Sequence, residues 1–177
     1  MILLLDIGNS RLKAALAHEG RIGEVSALSH DGDPAAAVAL LPAATPRAIA
    51  VANVTGATHE LRLMEALQAR YGRAPRIART QAQCAGLQVA YAQPERLGVD
   101  RWLMMLALWC ETGAAFGVAG AGTALTYDAV DAQGNHLGGF IAAGLATHLQ
   151  ATLGATRFDT RMLDARYDDG FGRDTEA

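Results

Sequence analysis

Cysteine is scarce in this sequence. Cys84 and Cys110 form no CxxC pair, and the five histidines never fall at HxxxH or His/Cys ligand spacing. These absences argue against a disulfide framework and against a structural zinc site. Long apolar runs are missing too: Asp6 ends the first after Leu5, and Trp102–Cys110 spans only nine residues. Both are too short for a signal peptide or a membrane span, so the expected setting is the cytoplasm, with no membrane partner. Lysine is nearly absent, since the fifteen basic residues are fourteen arginines and Lys13. Against eighteen acidic residues they leave a net charge of -3 with no block of one sign, which argues against a nucleic-acid partner. No G-x-x-x-x-G-K-S/T segment occurs, so P-loop chemistry is excluded. What remains is a chain of 177 residues, 51% apolar and 19% charged, the composition of a folded protein with a sizeable core.

The patterns that are present read as α/β. Met1–Asp6 predicts a buried strand ending on a carboxylate. After the turn Gly8-Asn9-Ser10, alternation of Leu12, Ala14 and Leu16 predicts a return strand, with a hairpin closed near His18-Glu19-Gly20. Asp33-Pro34 before an alanine-rich stretch predicts a short capped helix stopped by Pro42. Arg47–Val54 predicts a strand. Leu63, Met64, Leu67 and Tyr71 form one stripe of a helix over 58–71, ended by Gly72. Arg76–Thr80 predicts another strand, and Asp100 is expected to cap an apolar helix over 101–112 that Gly113 stops.

From Ala115 the opening pattern returns: an apolar run over 116–119, a turn Gly120-Ala121-Gly122, an alternating run over 123–130, a turn at 131–135, a strand over 137–141 and a helix over 145–153. Gly8 and Gly122 stand 114 positions apart, as do Gly20 and Gly134. A repeat at constant offset predicts two lobes of related design, residues 1–114 and 115–177. Asp174-Thr175-Glu176-Ala177 reads as a helix start, so the second lobe is expected to be truncated at its C-terminus.

Four segments carry candidate chemistry. A carboxylate at a strand end followed by a glycine turn suits a metal-bound phosphate: backbone N–H groups cradle oxygens, Asp6 holds Mg²⁺ and Lys13 reaches the same charge. From Asp6–Ser10 alone, an ordinary hairpin turn is an equal reading. Recurrence at Gly120–Thr123 favours the phosphate reading, because a nucleotide cleft needs such a turn from each side. A dinucleotide turn fits poorly, with Leu125 where the third glycine belongs and no helix pattern after it. In Gly98-Val99-Asp100-Arg101, Asp100 reads either as a proton acceptor beside an anion-binding guanidinium or, more simply on this segment alone, as a helix cap beside a surface arginine. Tyr91 lines a pocket or packs.

Taken together, Asp6-Ile7-Gly8-Asn9-Ser10, Tyr91-Ala92-Gln93-Pro94, Gly98-Val99-Asp100-Arg101, Gly122-Thr123-Ala124-Leu125-Thr126, Leu137-Gly138-Gly139 and Asp174-Thr175-Glu176-Ala177 resemble, in order and spacing, the type III pantothenate kinases. The resemblance implies an actin/hexokinase/Hsp70-like ATPase fold with duplicated lobes, in a cytoplasmic homodimer that transfers the ATP γ-phosphoryl group to pantothenate, the first step towards coenzyme A. It implies ATP contacts from Asp6, Ile7, Gly8, Asn9, Ser10, Arg11, Leu12, Lys13 and Thr123, with Asp6 near Mg²⁺. Pantothenate contacts are implied for Tyr91, Gly98, Val99, Asp100, Arg101 and Thr175, with Asp100 accepting the proton of the primary hydroxyl. The sequence departs from the family where an acidic ligand for K⁺ or NH4⁺ usually stands, since Gly120 occupies that position. A nucleotide-binding regulator of the Bvg accessory factor type, or another phosphotransferase of the same superfamily, is the alternative reading.

Overall fold

The computed structural model describes residues 1–155. Its elements in chain order are β1 (Ile2–Ile7), β2 (Arg11–His18), β3 (Arg21–Ile22), β4 (Ser26–Ser29), α1 (Pro34–Ala37), β5 (Ala48–Asn53), α2 (Ala57–Tyr71), β6 (Arg76–Ile77), β7 (Gln83–Cys84), β8 (Leu87–Gln88), α3 (Val99–Thr112), β9 (Phe116–Ala121), β10 (Ala124–Val130), β11 (His136–Ala143) and α4 (Leu145–Ala155). Single 3-10 turns at Val38–Leu40 and Pro94–Arg96 link them. Among the described residues no helix is long and apolar enough to cross a membrane.

The first sheet has the order β3-β2-β1-β5-β6, with β4 on the free part of β2. β1 runs antiparallel to β2 and parallel to β5, so it lies in the middle, and its apolar run is buried in alternation at Leu3, Leu5 and Ile7. These side chains meet Ile49 and Val51 of β5 and the α2 stripe Leu63 and Leu67, both fully buried. The parallel β5–β6 pair requires a crossover, and α2 supplies it. Gly72 ends α2 in the left-handed conformation at φ 66°, as the sequence implies. The strand expected over 76–80 is shorter, Arg76–Ile77. Its ladder ends where Ala78 N–H reaches the Val51 carbonyl, and the next residue, Arg79, is taken by an ion pair to α2.

The second sheet, β11-β10-β9, is an antiparallel meander. One face packs on α3 through Trp102, Met105, Val118 and Val130, while Leu125, Tyr127 and Phe140 lie exposed on the other. The 114-residue offset carries β1 onto β9, and both sheets run third strand, second strand, first strand in the same order. Gly20 and Gly134, the matched turn glycines, both have positive φ, 76° and 85°. The start of α3 differs from expectation. The N-cap of α3 is Gly98 and Asp100 is the second helical residue, so Asp100 does not cap the helix.

Candidate functional site

The β1–β2 hairpin sets the first turn. Register places Asp6 opposite Lys13, and Lys13 Nζ lies 3.2 Å from Asp6 Oδ2, with both side chains about half exposed. Gly8 N–H donates to the Arg11 carbonyl at 3.0 Å, closing the turn around Asn9 and Ser10. Ile7 and Leu12 on either side are fully buried, so they anchor the turn in the core and offer a ligand only their backbone. Arg11 and Lys13 are exposed beside it. A half-exposed strand-end carboxylate fits Mg²⁺, which takes one or two carboxylates and fills its remaining positions with water and phosphate oxygens. Among the described residues no group of three His, Cys, Asp or Glu side chains is gathered to hold a metal ion.

The second turn, between β9 and β10, meets the first. Thr123 Oγ1 lies 2.8 Å from Ser10 Oγ, across 113 positions of sequence. The Thr123 carbonyl is pinned from the other side by Gly144 N–H at 3.0 Å and Thr147 Oγ1 at 2.9 Å. Gly120 points at α3. A Cβ there would stand 2.7 Å from Thr126 Oγ1 and 3.1 Å from Met104 Cε, so an acid at this position requires both side chains to move.

The start of α3 carries the third group. Asp100 Oδ1 folds back to accept Arg101 N–H at 2.8 Å, and it occupies the space that a Cβ on Gly98 would need, 2.6 Å away. Glycine at 98 is thus a matter of room, for its φ of -52° is open to any residue. Arg101 is not at the surface. It is 3% exposed and forms a two-pronged pair with Asp128 of β10, Nε to Oδ2 at 2.8 Å and Nη2 to Oδ1 at 2.6 Å. Asp128, with a further contribution from Tyr91, raises the guanidinium pKa above its ordinary value against the opposing effect of burial. His136 of β11 completes the cluster. Its Nδ1 accepts Ala90 N–H at 3.5 Å, so the ring proton sits on Nε2 and is donated to Asp128 Oδ1 at 3.0 Å. Tyr91 stacks on the His136 ring, centroids 6.0 Å apart.

Asp128 and His136 were not singled out from the sequence. Their signal is parity: in an alternating strand whose inward positions are Thr126, Asp128 and Val130, a carboxylate on the core side demands a buried partner. Gly139 leaves the room, because a Cβ on it would collide with the Tyr127 carbonyl and the Asp128 carboxylate. The consequence is a tie between the α3 start, which carries Asp100, and the sheet that carries the second turn. Val54 N–H to the Ile7 carbonyl, 3.1 Å, likewise ties the end of β5 to the first turn. A cleft of about 400 Å³ opens there, with Asn53, Val54, Glu60, Arg79, Gly98 and Val99 in its wall. In it Arg79 pairs with Glu60 and holds that carboxyl below the usual range. Thr175 lies outside the described residues, as does the rest of the 174–177 segment.

A sequence model of the family described as type III pantothenate kinase matches residues 2–177. Type III pantothenate kinases of Xanthomonas axonopodis pv. citri (strain 306) and Xanthomonas campestris pv. campestris (strain B100) are 43% and 41% identical over 148 residues, 84% of this chain. The chain spans about 60% of the length of these curated relatives. A solved structure of a Baf family protein from Campylobacter jejuni superposes with a TM-score of 0.56 at 24% identity, covering 98% of this chain and 69% of that one, which shows a shared fold.

Proposed function

Because the chain belongs to the type III pantothenate kinase family, we propose that the protein it represents transfers the γ-phosphoryl group of ATP to the primary hydroxyl of pantothenate. The observation that carries this reading is the meeting of the two turns at Ser10 and Thr123, which brings a strand-end carboxylate, a lysine and two sets of turn backbone to one place. Phosphoryl transfer through a loose transition state asks mainly for alignment and charge neutralisation, and two facing turns supply both. Bound Mg²⁺ neutralises charge on the β- and γ-phosphates.

In this reading the backbone of residues 6–13 and the Thr123 hydroxyl hold the phosphates, and Asp6 holds the metal directly or through water. Lys13 leaves its ion pair with Asp6 to meet phosphate oxygen. Tyr91, Gly98, Val99, Arg101 and Thr175 hold pantothenate, with Arg101 fixed from behind by Asp128. Asp100 accepts the hydroxyl proton as the pantothenate oxygen bonds to the γ-phosphorus and the bond to ADP breaks. Residues 1–114 and 115–177 belong to two related lobes of an actin/hexokinase/Hsp70-like ATPase, which the matching strand orders of the two sheets support. The protein works as a cytoplasmic homodimer. Since no carboxylate stands at position 120, its activity depends little on K⁺ or NH4⁺.

The test is ADP release measured with Mg·ATP, with and without pantothenate, on the protein expressed in full from its gene. Release that depends on pantothenate is expected. Mg·ATP binding without pantothenate-dependent release overturns the kinase reading in favour of a nucleotide-binding regulator.

A further inference from the structure

His30 lies between β4 and α1, 6% exposed, in a segment no motif marks. Both of its polar ring atoms are engaged. Gly32 N–H donates to Nδ1 at 3.2 Å, so the ring proton sits on Nε2, and Nε2 lies 2.7 Å from the carbonyl of Gly8. The His30 backbone N–H also donates to the Ser10 carbonyl at 3.4 Å. One residue therefore grips the first turn on both sides of Asn9. The grip is itself built in: Asp31 and Gly32 follow in the left-handed region at φ 44° and 87°, Asp33 N–H returns to the His30 carbonyl at 2.7 Å, and the Asp33 side chain caps α1.

The peptide plane turns this grip into a statement about the ligand. In a trans peptide the C=O and the N–H of the next residue point in opposite directions. Holding the Gly8 carbonyl against His30 therefore aims the Asn9 N–H away from His30, out of the turn. Released from His30, the Gly8–Asn9 peptide is free to rotate about the glycine and to present its carbonyl, a repulsive group, where a phosphate oxygen belongs. We infer that His30 is a positioning residue for the first phosphate turn, fixing the Gly8–Asn9 peptide so that its N–H faces the nucleotide. This inference rests on the ATP site of the reading above and goes beyond it, since His30 touches no substrate.

Two near-isosteres separate this role from local folding. His30→Gln keeps a donor at the reach of Nε2 and loses the acceptor for Gly32, whereas His30→Asn keeps the acceptor and cannot reach Gly8. Mg·ATP affinity is measured by titration calorimetry on the full gene product, beside KM for pantothenate and the thermal midpoint. The expected result is affinity within about threefold of the parent for Gln and about tenfold weaker for Asn, the loss of one oriented hydrogen bond, with KM for pantothenate steady in both. Equal affinities in the two variants, or Asn better than Gln, overturn the inference and make His30 a support of the Asp31–Gly32 turn only. A parent protein that binds Mg·ATP without phosphorylating pantothenate overturns the kinase reading and leaves this inference standing; one that binds no Mg·ATP overturns both.

Discussion

Asp100 and Gly98 form one unit at the scale of single residues, because the carboxylate rests in the space a side chain at 98 would fill. On the proposed role of Asp100 as proton acceptor, Asp100→Asn removes the basic oxygen and keeps the shape, so kcat is expected to fall about a hundredfold, the usual scale of general-base catalysis, at unchanged Mg·ATP affinity. Gly98→Ala keeps the acid and displaces it, so kcat is expected to fall while the fold persists. Steady-state kinetics beside a thermal melt check both; an alanine at 98 that costs stability without touching kcat contradicts the pairing. At this scale the sequence was informative where chemistry and local geometry coincide. Asp6 and Lys13 could be read as reaching one charge, because a hairpin closed around Asn9 and Ser10 puts them opposite each other. Arg101 was legible as important but not as buried, for its partner Asp128 lies on a strand of the second sheet and spacing along the chain does not reveal which strand packs on which helix.

The elements followed from periodicity where burial is one-sided, as in β2 and α2, and from capping chemistry at α1, where Asp33 accepts N–H bonds from Ala35 and Ala36. Two ends differ from the pattern for different reasons: β6 stops at Ile77, where the next turn of chain is drawn to α2 by a tertiary ion pair, and α3 begins at Val99, where Asp100 uses its carboxylate locally on the Arg101 N–H. The Arg79–Glu60 pair that takes the chain away from β6 also fastens it to the first turn of α2. Chiefly through its bonds with Arg79, the folded Glu60 carboxyl titrates below its unfolded value. Its contribution to stability is therefore present above the unfolded pKa and is lost as the pH falls through the folded one. Arg79 is 60% exposed, so screening limits the pair to about 1 kcal/mol or less, a few degrees in Tm for a chain of this size. Glu60→Gln is expected to lower Tm by that amount at about pH 7 and by progressively less as the pH falls below the ordinary carboxylate range, where protonation of the parent carboxyl removes the contribution. An equal loss across that range would show that the effect is packing, not charge.

At the scale of the whole molecule one apolar cluster gathers Ala52 of β5, Trp102 and Met105 of α3 and Val130 of the second sheet, and two polar contacts add to it: the hydroxyl pair Ser10–Thr123 between the turns, and the buried Arg101–Asp128–His136 cluster between α3 and the second sheet. Removing one member of a buried ion pair strands the other, at a cost of about 3–5 kcal/mol. Asp128→Asn is accordingly expected to lower Tm by roughly 10 °C, read by calorimetry, and a loss under about 2 °C would mean that Arg101 finds another partner. The shared order of β1–β3 and β9–β11 accompanies a 114-residue offset in glycine turns that the sequence shows, since such turns leave a sequence mark. The direct Ser10–Thr123 contact between the two turns was not visible, because a contact between two exposed hydroxyls leaves none. The proposed chemistry is placed at that meeting, and the fate of the phosphate tests it most directly. The full gene product is incubated with Mg·ATP and pantothenate, and mass spectrometry follows the pantothenate. A phosphate ester on its primary hydroxyl, formed about a hundredfold more slowly by Asp100→Asn at equal nucleotide affinity, is the predicted result; bound nucleotide with unmodified pantothenate would contradict the account.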